Sequence, residues 1–188
     1  MKNKLHHVVR IPTPESLAKT AFSYLGRYAA SEGSLRRVLQ NRIRRASLSN
    51  PVLAKDVAAQ KTLRNAIETI IEKHRKLGVL NDASYAAMKA GSLRREGRSR
   101  RFIQQKLALK GVGAKLAEVA LAEIDSEAGP EAELKAARAF AKRRKLGPFR
   151  AGITDDDRRR KDLAVLARAG FSFGIAQKAL GTNFEFDE

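Results

Sequence analysis

Residues Leu107–Leu121, LALKGVGAKLAEVAL, align without gaps with residues Leu166–Leu180, LARAGFSFGIAQKAL. The two stretches share six identities, one of which pairs Gly111 with Gly170. In both, apolar residues recur at helical spacing on either side of the glycine, which predicts two helices joined by a tight turn. A repeat of this length indicates that the chain is built from copies of one helical unit.

A second internal match lies nearer the N-terminus. Residues Gly33–Ile43, GSLRRVLQNRI, align with residues Gly97–Leu107, GRSRRFIQQKL, and both matches join segments about 60 residues apart. The similar offsets predict three tandem three-helix units. Because one such unit cannot cover its own apolar face, stacked units share a continuous core, and we expect an elongated, curved molecule.

The composition between these repeats predicts an all-α fold. Segments rich in Ala, Leu, Arg, Lys and Glu alternate with Gly and Pro, whereas runs of alternating β-branched residues are nearly missing. This pattern divides the chain into a flexible N-terminal extension, three three-helix repeats and a C-terminal tail, which are predicted at residues 1–11, 12–79, 80–126, 127–181 and 182–188, respectively.

Capping residues predict where individual helices begin and end. Thr13 and Pro14 have the order typical of an N-cap and a first helical position, for a helix that reaches about Ala30. A longer helix is predicted from about residue 54 to residue 77. Thr154, followed by three Asp, predicts another N-cap with carboxylates at the positive end of the helix dipole.

Four further residues are predicted to act as caps and turns. A glycine at the end of an apolar helical pattern favours a C-terminal cap, and Asn81 or Asp82 precedes the next apolar run as an N-cap. The predicted caps and turns are Gly78, Asp82, Gly111 and Gly170.

The charge indicates an anionic partner. The 188 residues include 38 Lys and Arg against 20 Asp and Glu, a formal net charge of +18. A chain with this excess attracts polyanions or acidic protein surfaces. With 43% hydrophobic residues, the chain has enough apolar side chains for a folded core, which argues against wholesale disorder.

The densest run of positive charge covers residues 94–110. On one helix Arg94, Arg98 and Arg101 would share a face and present guanidinium groups together, although Gly97 lies between them. The alternative is a solvated basic surface. The predicted partner-binding face consists of Arg94, Arg95, Arg98, Arg100, Arg101, Lys106 and Lys110, with Arg143 and Arg144 from a second cluster.

No motif for catalysis, a cofactor or a metal stands out. The chain has no cysteine, and its three histidines, His6, His7 and His74, show no zinc-ligand spacing. Glu68 and Glu72 lie on one helix face, where pairing with Arg64, Arg75 or Lys76 explains them better than acid–base chemistry. We therefore expect a protein that binds and is not an enzyme.

The sequence shows no pattern typical of export or of membrane insertion. No signal sequence begins the chain and no run of about 18 apolar residues occurs in it. The aromatic residues fall at apolar helix positions, which disfavours single-strand binding by base stacking. We expect a cytoplasmic monomer without membrane association.

Four runs in order resemble the RecX family of bacterial regulators: Tyr24–Ala29, Leu77–Ala86, Lys106–Val112 and Arg168–Ser172. They contain the elements G-x-L-N-D, K-G-V and G-F-S. The resemblance implies tandem three-helix repeats and a protein that lodges in the groove of the RecA nucleoprotein filament. It also implies inhibition of the ATPase, strand-exchange and coprotease activities of RecA, in recombinational repair and the SOS response.

Two other functions use the same features. A non-specific helical DNA- or RNA-binding protein would use the same arginines to neutralise phosphates, on single- or double-stranded DNA. A helix-turn-helix repressor could place two helices around Gly170, but no set of recognition-helix residues is evident.

Overall fold

The computed structural model describes residues 10–151 and 155–181, and these ranges are helical without any strand, which confirms the all-α prediction. The chain forms two compact units, Met1–Asp82 and Ala83–Glu188. The helices of the described ranges are α1 Pro14–Leu25, α2 Glu32–Ser49, α3 Pro51–Lys55, α4 Val57–Lys76, α5 Asp82–Arg95, α6 Arg100–Leu109, α7 Ala114–Ala128, α8 Ala132–Arg144, α9 Asp156–Arg168 and α10 Phe173–Leu180. A 3₁₀ turn covers Gly147–Phe149.

The first unit packs α1, α2 and α4 around one hydrophobic core. The buried face of α4 supplies one wall. His74 of this helix is partly buried, with Nδ1 2.8 Å from the Ile70 carbonyl oxygen. Burial of these aliphatic side chains is the main stabilising contribution to this unit. The largest members of the core are Leu17, Leu35, Leu39, Ile43, Leu53, Leu63, Ile67, Ile70, Ile71 and Leu80.

Capping decides the ends of α1. Thr13 and Ser16 form a reciprocal capping box, with Pro14 at the first position, as the sequence predicted for this start. The helix ends at Leu25, five residues before the predicted end near Ala30, because Gly26 follows it and glycine has low helix propensity.

A short helix separates α2 from α4. Helix α2 continues to Ser49. The Asn50 side chain then caps α3, and Asp56 caps α4 by accepting from the backbone N–H of Ala59 at 2.8 Å. The long helix therefore begins at Val57 rather than near residue 54.

Asp82 caps a helix other than its own. It is the first residue of α5, and its Oδ1 accepts a 2.8 Å hydrogen bond from the backbone N–H of Glu32 at the start of α2. Burial raises the pKa of Asp82. Because α5 begins at Asp82, the N-cap position falls on Asn81, the other residue that the sequence predicted for it. The Asp82 side chain instead bonds the start of α2, 50 residues away in the sequence.

Ion pairs fix the exposed side of the first unit. Glu68 accepts two hydrogen bonds from the guanidinium group of Arg36 in α2, at 2.8 and 2.9 Å. These hydrogen bonds lower the pKa of Glu68. Glu72 pairs with Arg75 and Lys76, as predicted. These carboxylates therefore serve in surface ion pairs, as the sequence indicated.

The second unit holds two hydrophobic cores, one within α5–α7 and one within α8–α10. The larger side chains of the first are Leu93, Ile103, Leu107 and Leu121. The second contains Leu134, Phe140, Leu146, Leu163, Leu166, Phe171 and Leu180. Together with the core of the first unit, they make three cores, which is consistent with three-helix repeats.

The repeated sequence has repeated structure. Gly111, between α6 and α7, has a φ of 81°, and its counterpart Gly170, between α9 and α10, has a φ of 92°. Both angles lie in the region that favours glycine. The aligned pair Leu107 and Leu166 is fully buried in the two cores.

The match between residues Gly33–Ile43 and Gly97–Leu107 pairs core positions that are structurally equivalent, but its two glycines differ in structure. Leu39 and Ile103, which it aligns, are both fully buried. Gly33 lies inside α2, whereas Gly97 forms a turn with a φ of 71°. A Cβ at Gly97 would lie 2.9 Å from backbone atoms of α8, so this turn packs directly against that helix.

Several predicted features lie outside the described residues. They are His6 and His7, most of the predicted extension at 1–11, the predicted tail at 182–188, and Thr154. Asp155 is the N-cap of α9, since its side chain accepts from the backbone N–H of Arg158 at 2.8 Å. The predicted acidic first turn of this helix is present, with Asp156 and Asp157, but the N-cap is one residue after the predicted Thr154.

Candidate partner-binding surface

A basic cleft of about 350 Å³ opens in the second unit. It lies where the α5–α6 turn, α8 and the end of α9 meet. Among the described residues, three arginines line it and no carboxylate does. We call this site the basic cleft, and its lining residues are Arg98, Ser99, Phe102, Phe140, Arg144, Val165, Arg168 and Ala169.

Two aromatic rings support the cations around the basic cleft. The Arg98 guanidinium carbon lies 4.8 Å from the centroid of the Phe102 ring, and Lys106 Nζ lies 5.3 Å from the same centroid. Arg143 and Arg144 lie 5.9 and 5.8 Å from the centroid of Phe140. Cations over ring faces are attracted to the ring quadrupole, so these side chains are held at the surface in defined positions.

Arg94 does not belong to this exposed surface. Its side chain is only 7% exposed, because the guanidinium group points inward between two carboxylates. Nη2 donates to Asp125 at 2.6 Å and Nη1 donates to Glu133 at 2.5 Å. The prediction that Arg94 shares an exposed face with Arg98 and Arg101 is therefore wrong. The shared helix is absent as well, because α5 ends at Arg95 and α6 begins at Arg100.

The buried arginine instead positions the turn that carries the basic cleft. Arg94 Nη1 also donates to the carbonyl oxygen of Arg98 at 3.0 Å. On the other side of the turn, the Ser99 hydroxyl donates to the carbonyl oxygen of Ala169 at 2.6 Å. The backbone N–H of Arg98 donates to the carbonyl oxygen of Leu93 at 3.0 Å. The backbone is therefore anchored before and after the Arg98 Cα, which fixes where its guanidinium group emerges.

Arg100 is also engaged within the unit. It donates to Asp125 at 2.7 Å and to Glu118. Burial alone would lower the pKa of Arg100, but the two carboxylates outweigh this effect and raise the pKa above its usual value. Its neighbour Arg101 is exposed. Both line a larger pocket of about 750 Å³. Asp125 and Glu133 line that pocket too, and Arg100 pairs with Asp125 there. In the basic cleft, Arg98 Nε lies 3.7 Å from a Glu96 oxygen, but Glu96 is not among the lining residues. The larger pocket therefore suits an anion less well than the basic cleft.

The structure separates the nine predicted contact residues into three groups. Arg98 and Arg144 line the basic cleft, with Lys106 and Arg143 against its rings. Arg95, Arg101 and Lys110 are exposed away from the cleft lining. Arg94 and Arg100 are held in internal ion pairs.

Arg168 is the cation of the basic cleft that sequence reasoning missed. It stands alone among apolar residues at the end of α9, so dense charge does not mark it. Its Nε donates to the carbonyl oxygen of Ala164 at 3.2 Å. The one feature of the sequence that points to Arg168 is its position in the run Arg168–Ser172, which carries part of the family resemblance.

The described residues offer no candidate for a metal site. They contain no group of three or more His, Asp or Glu side chains that could hold a metal ion. Within the same ranges, no helix is both long enough and apolar enough to cross a membrane.

Fold and surface together define a class: an all-helical repeat protein whose three-helix cores carry a cation-rich cleft. Residues 81–121, which cover most of α5–α7, match the family model described as RecX, second three-helix domain. The regulatory protein RecX of Myxococcus xanthus is 42% identical over 172 residues, 91% of this chain and 87% of that protein. The chain belongs to the RecX family of regulatory proteins.

Other relatives agree with this membership. The regulatory protein RecX of Agrobacterium fabrum is 38% identical over 106 residues, which are 56% of this chain and 54% of that protein. The crystal structure of RecX from Lactobacillus salivarius matches with a TM-score of 0.62 at 19% identity, over 89% of this chain and 94% of that one. A second crystal structure of a regulatory protein RecX gives 0.66 at 20% identity, over 88% and 72%. At these identities the two structures show the fold.

Proposed function

We propose that this protein binds the nucleoprotein filament of the RecA recombinase and inhibits its ATPase, strand-exchange and coprotease activities. In this way it modulates recombinational DNA repair and the SOS response. The observation that carries the proposal is the basic cleft, in a chain that is 42% identical to a regulatory protein RecX over 91% of its length. The protein acts by binding and catalyses no reaction itself.

The charge distribution supports contact with an acidic surface. Guanidinium groups suit carboxylates because their planar fork can donate two parallel hydrogen bonds. Arg98, Arg144 and Arg168 face one cleft, and the exposed Arg95, Arg101, Lys106, Lys110 and Arg143 enlarge the cationic surface. An excess of 18 positive charges steers the protein toward an anionic filament, so inhibition weakens as salt rises.

The repeats give the partner-binding residues their arrangement. We propose that residues 12–79, 80–126 and 127–181 are the three repeats, and that the second and third supply the contact surface. Arg98 comes from the proposed second repeat, whereas Arg144 and Arg168 come from the third. The hydrogen bond from Ser99 to Ala169 supports a fixed arrangement of these two repeats.

A second candidate function is non-specific binding of DNA or RNA. The same observation favours it, because a cleft lined by arginines without carboxylates also suits phosphates. The two functions differ in their target. A filament regulator acts on recombinase that already covers its DNA, whereas a nucleic-acid binder competes for the bare strand.

The test is DNA-dependent ATP hydrolysis by the RecA recombinase, measured while this protein is titrated in. Single-stranded DNA is kept in excess, so that competition for the strand is suppressed. We expect hydrolysis to stop at substoichiometric amounts of the protein. Unchanged hydrolysis, together with tight and salt-sensitive binding to bare DNA, would instead support the nucleic-acid binder.

A further inference from the structure

A second cationic cleft lies in the first unit, between α1 and α2. It has a volume of about 500 Å³. Of the six described residues that line it, three are arginines, two are neutral and polar, and one is apolar. The lining consists of Arg10, Thr20, Val38, Asn41, Arg42 and Arg45.

Helical periodicity brings the α2 residues of this cleft onto one face. Val38, Asn41, Arg42 and Arg45 are spaced i, i+3, i+4 and i+7, which places them on one stripe of the helix. Arg44 is exposed on the same helix but does not line the cleft. Arg42 and Arg45 therefore line the cleft because of their position on the helix, whereas Arg44, which has the same side chain, does not.

The described residues do not balance the charge of this cleft. Among them no carboxylate lines the cleft, and neither Arg42 nor Arg45 forms an ion pair. By contrast, Arg36 on the same helix donates to both carboxylate oxygens of Glu68. Like charges held near one another without a counterion repel, so an anion bound between them is stabilised.

We propose that this cleft binds phosphate groups, in the first place those of a nucleic-acid backbone. Arginine forks can donate two hydrogen bonds to one phosphate, and Asn41 adds a neutral donor. Protein interfaces are typically anchored by buried apolar or aromatic side chains, and Val38 is the one apolar side chain among the described residues of this lining. The composition therefore favours phosphate over an acidic protein surface.

This site is independent of the proposed function. The proposed recombinase contact uses the second unit, whereas the phosphate site belongs to the first. A division follows in which one unit holds phosphates and the other contacts protein. Either assignment can fail while the other stands.

The experiment compares single charge reversals on one helix. Binding of a fluorescent single-stranded oligonucleotide to the full chain is measured by anisotropy for Arg42→Glu, Arg45→Glu and the matched control Arg44→Glu. We expect each cleft variant to weaken binding by about tenfold and the control by less than about twofold. The slope of log affinity against log salt concentration should also become shallower by about 0.7 for each phosphate that the variant no longer neutralises.

Two further arms identify the outcome. Competition with a nucleoside triphosphate at equal phosphate concentration separates the two sources of phosphate: resistance assigns the cleft to the nucleic-acid backbone, and displacement assigns it to a free phosphate compound. Circular dichroism checks that each variant keeps its helicity. Equal weakening by Arg44→Glu, or no weakening by either cleft variant, would overturn the proposal.

Discussion

Replacing Arg94 with alanine is expected to lower the free energy of unfolding of the second unit by about 3 kcal/mol, the low end of what breaking a buried ion pair costs. Arg94 donates to Asp125, Glu133 and the carbonyl oxygen of Arg98. Without the positive charge of Arg94, the half-buried carboxylates of Asp125 and Glu133 lose a shared ion-pair partner. The low end applies because Arg100 still pairs with Asp125.

The measurement is urea unfolding followed by circular dichroism, with Arg95→Ala as the matched control. Arg95 is the next residue of the same helix and is exposed, so its removal should change the free energy of unfolding by less than about 0.5 kcal/mol. Arg94→Lys should recover part of the stability, since an ammonium group keeps the charge but lacks the planar fork. Equal effects of Arg94→Ala and Arg95→Ala would show that the buried network does not stabilise the unit.

Reversing the charge of the basic cleft is expected to abolish most of the inhibition. In the triple variant Arg98→Glu, Arg144→Glu and Arg168→Glu, three carboxylates replace the three guanidinium groups that face the cleft. Repulsion from an acidic partner surface replaces attraction, so at least about tenfold more protein should be needed for half-inhibition of DNA-dependent ATP hydrolysis.

A matched triple variant separates this local effect from net charge. Lys115, Arg138 and Lys178 are residues of the second unit that do not line the basic cleft. Their replacement by glutamate makes the same change in net charge and should alter half-inhibition by less than about threefold. If both triple variants abolish inhibition equally, diffuse charge and not the basic cleft carries the interaction.

The helices were predictable because their signals are local. Thr13 and Pro14 specify the start of α1 from their own side chains and backbone. Gly111 and Gly170 mark equivalent turns because a positive φ excludes most other residues there. A six-identity match between the two stretches was therefore enough to reveal the repeat.

The cation surface was less predictable because it depends on distant partners. Arg94 looked exposed from its neighbours in the sequence, but Asp125 and Glu133 lie 31 and 39 residues away and draw it inward. The opposite error concerns Arg168, which lies 70 residues from Arg98 along the chain and yet lines the same cleft. A sequence shows charge density, whereas a cleft is formed by tertiary packing.

The most direct test of the central claim is binding to preformed recombinase filaments. Labelled protein is titrated against filaments in which the recombinase covers all of the DNA, and against the same DNA without recombinase. We predict saturable binding to the filament that is tighter than binding to bare DNA at the same salt concentration. Binding to bare DNA that equals or exceeds binding to the filament would contradict the assignment of this protein as a regulator of the filament.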